Sequence, residues 1–461
     1  MSKAGKAELA AAPWSLEKRI ATGMLIWLLL LALGSALVST PFRSEAVGGV
    51  LQFGNVMYLQ GLLLGLTGLL SLIAMNVFAA GTSHPGLRSV VVWGAVVAAA
   101  LGGLGGIFDR ATTDVFGFWL QTIGSIALIV TLVALAMALF YRAADTRRVW
   151  TWTAALASLS GAFAAFMGMA AAWLMVYGDA PKGLVGGYAT LAGMTWQAWQ
   201  ANLSGAYAID MVMVVIALAV ATTCAAFGVE RAGNRLLKIG LWVLALGTIA
   251  TGTIYLTAGF SIAQPPILLP HGPSGLNGIN AGDLVTGIGV VLGSLVALVG
   301  LGREALPDAM HRWGAALVAL MLFVTASCFG YYIELNESLY GFGALAAPRG
   351  AAAYVFNWFH QDFAFLVLPA VLVVMLVVRW LAADEGMRRN AHFALLTGAV
   401  VSFIGGILYV FVSQAQNGVS FVVTTIGFAV IVVGTLLALW SVSGRGEPKP
   451  ARRAQRVQHS H

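Results

Sequence analysis

The segment from Val115 to Tyr141 reads VFGFWLQTIGSIALIVTLVALAMALFY and contains no Asp, Glu, Lys or Arg. The hydrocarbon core of a bilayer is about 30 Å thick, and an α-helix crosses it with about 20 mainly apolar residues. This segment exceeds that length, so it predicts a transmembrane helix. One such helix already places the chain among the integral membrane proteins.

The composition of the whole chain points the same way. Of its 461 residues, 59% are hydrophobic and only 9% are charged, whereas about 25% of a soluble domain is charged. Apolar runs separated by charged or Pro/Gly-rich breaks predict an all-α, polytopic membrane bundle of about 12 transmembrane helices. The predicted spans lie near 20–40, 48–79, 88–108, 115–141, 150–177, 190–228, 236–262, 283–302, 310–333, 353–381, 391–413 and 419–443.

These spans divide the chain into three parts. Residues 1–19 form a polar cytoplasmic leader, and residues 20–443 form the transmembrane domain. Residues 444–461 are polar and basic and contain two prolines, which predicts a disordered cytoplasmic tail. Two of the spans, 48–79 and 190–228, are longer than one bilayer crossing requires.

The basic residues predict the orientation. If the N-terminus is cytoplasmic, all but four of the 25 Lys and Arg residues fall on the cytoplasmic side, as the positive-inside rule requires. Both termini are therefore predicted in the cytoplasm of a bacterial-type cell, with the chain in its inner membrane. The net charge of +7 then belongs to loops beside the bilayer, so we expect lipid and not nucleic acid as the partner. The four exceptions are Arg43, Arg110, Lys182 and Arg349.

An ionisable side chain inside the bilayer is costly and is a functional candidate by default. Asp210 stands near the middle of the sixth predicted span, which contains no basic residue. It is therefore either paired with another helix or protonated, because burial disfavours the charged form. We predict a proton-relay or cation-coupling role, and the alternative is a neutral carboxyl making one interhelical hydrogen bond.

Other polar residues gather at the exterior ends of the predicted helices. His360 with Asp362 is either an oriented ligand or proton carrier, or a helix-entry cap in contact with water. Because polar side chains avoid lipid, we expect this exterior group to face a common cavity between the second, sixth and tenth helices. Its members are Gln60, Gln197, Gln200, His271 and His360.

Three further patterns bear on cofactors. Gly61, Gly65 and Gly68 share roughly one face of the second span, which allows close approach of a helix or of a planar cofactor. His311 and His392 lie at cytoplasmic helix starts, where we expect an interfacial position. The two cysteines form neither CxxC nor CxxCH, so no metal site is predicted.

Twelve spans with both ends cytoplasmic, and polar groups in the outer half of even-numbered helices, resemble subunit I of haem–copper oxidases and nitric oxide reductases. The stretch MYLQGLLLGL from Met57 looks like the family's second helix, with Gln60 where a haem-ligating histidine stands. WFHQD from Trp358 is similar to the start of the tenth helix, with Asp362 in place of a second histidine. HFALLTG from His392 and VSQAQNG from Val412 look like the eleventh helix and the turn after it.

The resemblance breaks at the metal ligands. The sixth span has no histidine, and His271 is the only one near the exterior end of the seventh. Haem ligation by Gln60 would be poor, because low-spin haem commonly takes His–His or His–Met ligands. The resemblance thus implies a degenerate member of a respiratory-type complex, without a complete oxygen-reducing site. The one cofactor that the resemblance suggests is haem, with Gln60, His271 and His360 as candidate ligands. Asp210 and Asp362 are then candidate proton carriers.

Two other function classes stay open. A proton- or cation-coupled secondary transporter would use Asp210 as its coupling group. The connection at 229–238 is too short for the long link between six-helix halves of a major facilitator, and the sequence has no clear internal repeat. The third class is a structural or assembly subunit of a membrane complex. Whether the protein is an enzyme is left open by the sequence.

Overall fold

The structure is a computed structural model, and it describes residues 16–38, 48–111, 115–177, 196–227, 234–260, 286–328, 363–381, 385–411 and 419–442. These residues form twelve helices and no strand. The first six are α1 (Leu16–Val38), α2 (Gly48–Val77), α3 (Pro85–Ala111), α4 (Phe116–Thr146), α5 (Val149–Tyr177) and α6 (Trp196–Phe227). The next three are α7 (Arg235–Phe260), α8 (π-helical Thr286–Leu292 followed by Gly293–Gly302) and α9 (Ala309–Leu322 followed by π-helical Phe323–Cys328). The last three are α10 (363–381, helical in the α form over Leu368–Leu381), α11 (Glu385–Phe411) and α12 (Val419–Val442).

The predicted all-α class is confirmed. Within the described residues, eight helices are long and apolar enough to cross a membrane, and Gly61–Val77 and Gly289–Gly302 are shorter apolar helices. Their length and composition make the chain a multi-pass membrane protein.

Several helices extend beyond the apolar runs that predicted them. Helix α11 begins at Glu385, six residues before the predicted start, and α1 begins at Leu16. Apolar runs mark only the part of a helix in hydrocarbon, whereas polar first turns continue the helix at the membrane surface. The predicted tail at 444–461 and nearly all of the leader at 1–19 lie outside the described residues.

The helices form a ring of nine around a centre of three. In the ring, α1, α3, α4, α5, α7, α8, α9, α11 and α12 follow one another, and α12 contacts α1. Helices α2, α6 and α10 lie inside it and contact one another. Every side chain from Gly61 to Met75 and from Asp210 to Cys224 is buried, whereas ring helices expose large apolar side chains such as Leu246 and Trp440.

One packing pattern occurs three times around this centre. The hairpins α3–α4, α7–α8 and α11–α12 each contact one central helix, which is α2, α6 and α10 respectively. The helices α5, α9 and α1 each join one hairpin to the next central helix. The chain therefore repeats a four-helix arrangement in its packing, although its sequence has no clear repeat.

Glycines allow the close approach of helices in all three hairpins. A Cβ atom at Gly124 would lie 2.8 Å from the backbone nitrogen of Gly102, which is closer than real Cβ contacts. The predicted close packing on the glycine face of α2 is confirmed too, because a Cβ at Gly61 would lie 2.5 Å from the Gly102 carbonyl oxygen. At Gly61 that face packs directly against the backbone of α3. The facing glycines are Gly102 with Gly124, Gly247 with Gly289, and Gly398 with Gly427.

Candidate functional site

Asp210 is buried in the central helix α6 with only 1% of its surface exposed. Its Oδ1 atom has no hydrogen-bond partner among the residues that the structure describes. An unpaired carboxylate is far more costly in an apolar interior than a neutral carboxyl group. Asp210 is therefore a group that can hold a proton in the interior of the bundle and exchange it when a donor or acceptor reaches Oδ1.

The exterior group falls largely outside the described part of the chain. Gln60 is on α2, and Gln197 and Gln200 are on α6, but their side chains are not among those described. His271, His360 and Asp362 lie outside the described residues altogether. The structure does bring together α2, α6 and α10, the three helices between which the cavity is predicted. The cavity itself stays a prediction.

A second cluster lies where α9 begins and α10 ends. It was not predicted as a site, and its members come from three helices. We call it the polar cluster, and it consists of Asp308, His311, Arg312, Arg379, Arg388 and His392.

Asp308 holds the cluster together. It precedes α9 with a left-handed backbone (φ 63°), which Asp tolerates better than most residues, and its side chain accepts a hydrogen bond from the His311 backbone N–H at 3.4 Å. Its Oδ2 atom lies 2.8 Å from Nη1 of Arg379 and 3.6 Å from Nε of Arg388. One carboxylate thus joins the start of α9 to α10 and α11.

The arginines extend the cluster to two more helices. The Arg379 guanidinium lies 3.7 Å from the centre of the Phe227 ring and donates to the Ala226 carbonyl at 3.3 Å, at the end of α6. Arg312 is buried and donates to backbone carbonyl groups at the end of α8 and in the following connection. These hydrogen bonds satisfy carbonyls that the end of a helix leaves open.

Two imidazole rings of the polar cluster lie in contact with each other. Nδ1 of His311 lies 3.2 Å from Nε2 of His392, and both side chains are buried. The same Nε2 atom lies 3.2 Å from the carbonyl oxygen of Met375 on α10. Nδ1 of His392 has no hydrogen-bond partner within the described part of the chain.

The expectation of an interfacial position for these histidines missed their burial against each other. They are 81 positions apart in the sequence, and neither stands in a motif that would have indicated the pairing. The sequence signals that could have found the cluster are Asp308 at a helix start and arginines inside apolar helices.

Metal binding has no support in this part of the chain. Among the described side chains, no group of three or more His, Cys, Asp or Glu residues could hold a metal ion. The polar cluster contributes two imidazoles, and its carboxylate is engaged by arginines. The arrangement is suited to proton exchange and to cross-linking of helices.

Comparison with known proteins found no protein family, no curated protein and no solved structure that matches this chain.

Proposed function

We propose that this chain is a twelve-span protein of a bacterial-type inner membrane, related to subunit I of haem–copper oxidases, that transfers protons in or beside a respiratory-type complex. The observation that carries the proposal is Asp210, a buried carboxyl group with an unpartnered oxygen in one of three central helices. Such a group is costly to keep in a membrane protein, and proton transfer is a common reason for its presence.

Contacts between helix ends support the proposed orientation. Arg88 at the start of α3 pairs with Glu17 at the start of α1, with 2.7 Å between Nη2 and Oε1. Arg142 near the end of α4 donates to the Phe78 carbonyl beyond the end of α2 at 3.2 Å. Helices that alternate in direction bring these ends to one side, which the charge bias assigns to the cytoplasm.

The packing of the central helices supports the family relationship. The family's second and tenth helices supply haem ligands, and here α2 contacts α10. Gln60 and Asp362 stand where the family has histidines, and their residue types do not fit haem ligation. We therefore propose proton transfer and not oxygen reduction as the function. A Soret band in the absorption spectrum of the purified protein would favour a redox function, and its absence would shift weight to transport.

The proposed chemistry at Asp210 needs only one titrating group. In the resting state the carboxyl is protonated, because it is buried and its Oδ1 atom has no hydrogen-bond partner among the described residues. Loss of the proton to an acceptor on one side and recovery from the other would move one charge per cycle. The buried hydroxyls of Thr222 and Thr223, more than three turns further along α6, do not replace it, because they donate to carbonyls of their own helix.

The test is proton flux in liposomes that contain the purified protein, driven by a potassium diffusion potential and followed with a trapped pH dye. Asp210→Asn keeps the size of the side chain but cannot titrate, so we expect its flux to fall to that of empty liposomes. Thr222→Val is the matched control, since it removes a buried polar group from the same helix without removing an acid. Flux that survives Asp210→Asn with an unchanged pH dependence would contradict the proposal.

A second candidate is a proton- or cation-coupled secondary transporter, and the same observation favours it, because coupling also needs a buried acid. The two functions differ in whether flux requires a solute. Proton flux without any added solute favours the respiratory-type function. Flux that appears only with a transported solute favours the transporter.

A further inference from the structure

We propose that His311 and His392 form a two-imidazole proton relay, which admits protons to the bundle from the side of the α8–α9 connection. The inference rests on the proposed function, since it names the route by which protons reach the interior on that side. It is carried by the geometry of the pair, the unpartnered nitrogen of His392 and the charges around them.

The contacts select one arrangement of protons on His392. Its Nε2 atom lies 3.2 Å from the Met375 carbonyl oxygen, which can only accept. Nε2 must therefore carry the hydrogen, and Nδ1 of His392 carries a lone pair. Nδ1 of His311, at 3.2 Å from the same Nε2 atom, is then an acceptor as well, so His311 carries its hydrogen on Nε2.

The second observation that supports the relay is the unpartnered lone pair on Nδ1 of His392. The side chain is completely buried, and Nδ1 has no hydrogen-bond partner in the described ranges. Buried polar atoms in folded proteins almost always have partners, and leaving one without a partner is unfavourable. A basic nitrogen left open inside a protein is a place where a proton or the hydrogen of a donor can bind.

The proton transfer follows from these positions. An incoming proton forms a bond to Nδ1 of His392, and the Nε2–H bond of that ring breaks as its hydrogen passes to Nδ1 of His311. His311 then releases its Nε2 hydrogen to an acceptor such as water. Each ring gains one proton and loses one, so both end neutral in the opposite tautomer, and the reverse steps or ring rotation restore them.

Burial and the surrounding charges favour passage of a proton through the pair over its retention there. The charged groups that act on the pair are Asp308 before α9, Arg379 on α10 and Arg388 on α11. Arg312 on α9 is directed to carbonyl groups of the α8–α9 connection, and α6 contributes the uncharged Phe227 ring, 5.5 Å from His311. Asp308 is shared by two guanidinium groups, so positive charge exceeds negative charge beside the pair. Burial disfavours a positive charge on either ring, and Arg379 and Arg388 add repulsion that Asp308 only partly offsets, so a proton that passes through is not retained.

The pair also lies at the end of the helix that carries Asp210. Phe227, the last residue of α6, contacts His311, and 17 helical positions separate Phe227 from Asp210, which corresponds to about 25 Å. The relay is thus the surface end of a route and Asp210 an inner position.

The test measures proton flux in liposomes for His392→Gln and His311→Gln beside Asp210→Asn. Glutamine at 392 places an amide N–H near the position of Nε2, so the hydrogen bond to Met375 is kept while the proton-accepting nitrogen is lost. We expect a loss of flux of about tenfold or more in both histidine variants, with native unfolding temperature. His84→Gln is the matched control, because His84 is an imidazole outside the polar cluster that stacks on Tyr141.

The outcomes separate this inference from the proposed function. Flux that survives both histidine changes but is lost in Asp210→Asn overturns the relay alone. An absence of flux in the unaltered protein overturns both. Because a variant could fail to fold, ¹⁵N spectra of histidine in the unaltered protein in lipid nanodiscs give an independent check. A hydrogen on Nδ1 of His392 instead of Nε2 at neutral pH would overturn the relay.

Discussion

Removing the charge of Asp308 tests how the polar cluster holds the bundle together. Asp308→Asn keeps a good helix cap, because Asn and Asp are comparable at this position, but it removes the negative charge shared by Arg379 and Arg388. The side chains of Asp308 and Arg379 are only 11% and 19% exposed, so the guanidinium would be left largely buried without a counter-ion. Breaking a buried pair in this way costs about 3–5 kcal/mol, and because the pair is partly exposed we expect a loss of about 3 kcal/mol in the free energy of unfolding.

Two further substitutions divide this value into its parts. Asp308→Ala also removes the cap, which adds about 1 kcal/mol. Arg379→Met leaves Asp308 with Arg388 and the cap, so we expect a smaller loss of about 2 kcal/mol. In the double variant Asp308→Asn with Arg379→Met, the loss should be well below the sum of the two single losses, because no isolated charge remains at Arg379.

The measurement is equilibrium unfolding of the purified protein in mixed detergent micelles, followed by tryptophan fluorescence. The chain contains 14 tryptophans, including Trp380 beside the cluster, which gives the signal. A free energy of unfolding for Asp308→Asn within 0.5 kcal/mol of the unaltered protein, an error margin typical of additivity tests, would refute the reasoning. So would strict additivity in the double variant.

Three other predictions concern the fold. Gly247→Leu should prevent stable assembly, because the new side chain would meet the backbone of Gly289. Gly86→Leu should be tolerated, since nothing lies within 4 Å of a Cβ atom there, and the yield of folded protein purified in detergent checks both variants. A reporter that is active only in the cytoplasm should be active when fused after His461 in a bacterial host, and activity of a periplasm-only reporter there would contradict the proposed orientation. Cysteines replacing Gln60 and His360 should be joined by a short bifunctional reagent, since both are predicted to face one cavity; failure to link them in folded protein would speak against that cavity.

The number of helices could be predicted from the sequence, because the bilayer requires an apolar run of about 20 residues from each helix that crosses it. All twelve predicted runs overlap the described helices, including the long α2 and α6. The charged first turn of α11 was excluded from its predicted span, because Glu385 and Arg388 interrupt the apolar run. In the structure Arg388 is instead directed toward Asp308, at the surface end of the bundle.

One of the two candidate sites could be predicted from the sequence and the other could not. Asp210 could be selected from sequence, because an acid inside an apolar run is conspicuous whichever helices surround it. His311 and His392 could not, since each is an ordinary helix-start histidine until α9, α10 and α11 are packed together. The pairing depends on Asp308 and Arg379 setting the positions of these helices, and that information lies in contacts between residues far apart in the chain.

The ring of nine around three has a consequence for the order in which the chain enters the membrane. Helix α2 leaves the ribosome well before its buried neighbours α6 and α10. Until they arrive, α2 must rest against lipid, which its uninterrupted apolar surface from Gly61 to Met75 allows apart from two hydroxyls that bond to their own helix. Until α10 is inserted, helix α6 carries Asp210 without its final neighbours, and inserting an aspartate in a single helix costs about 3 kcal/mol. The bundle is therefore most vulnerable to quality-control proteases between the synthesis of α6 and the insertion of α10.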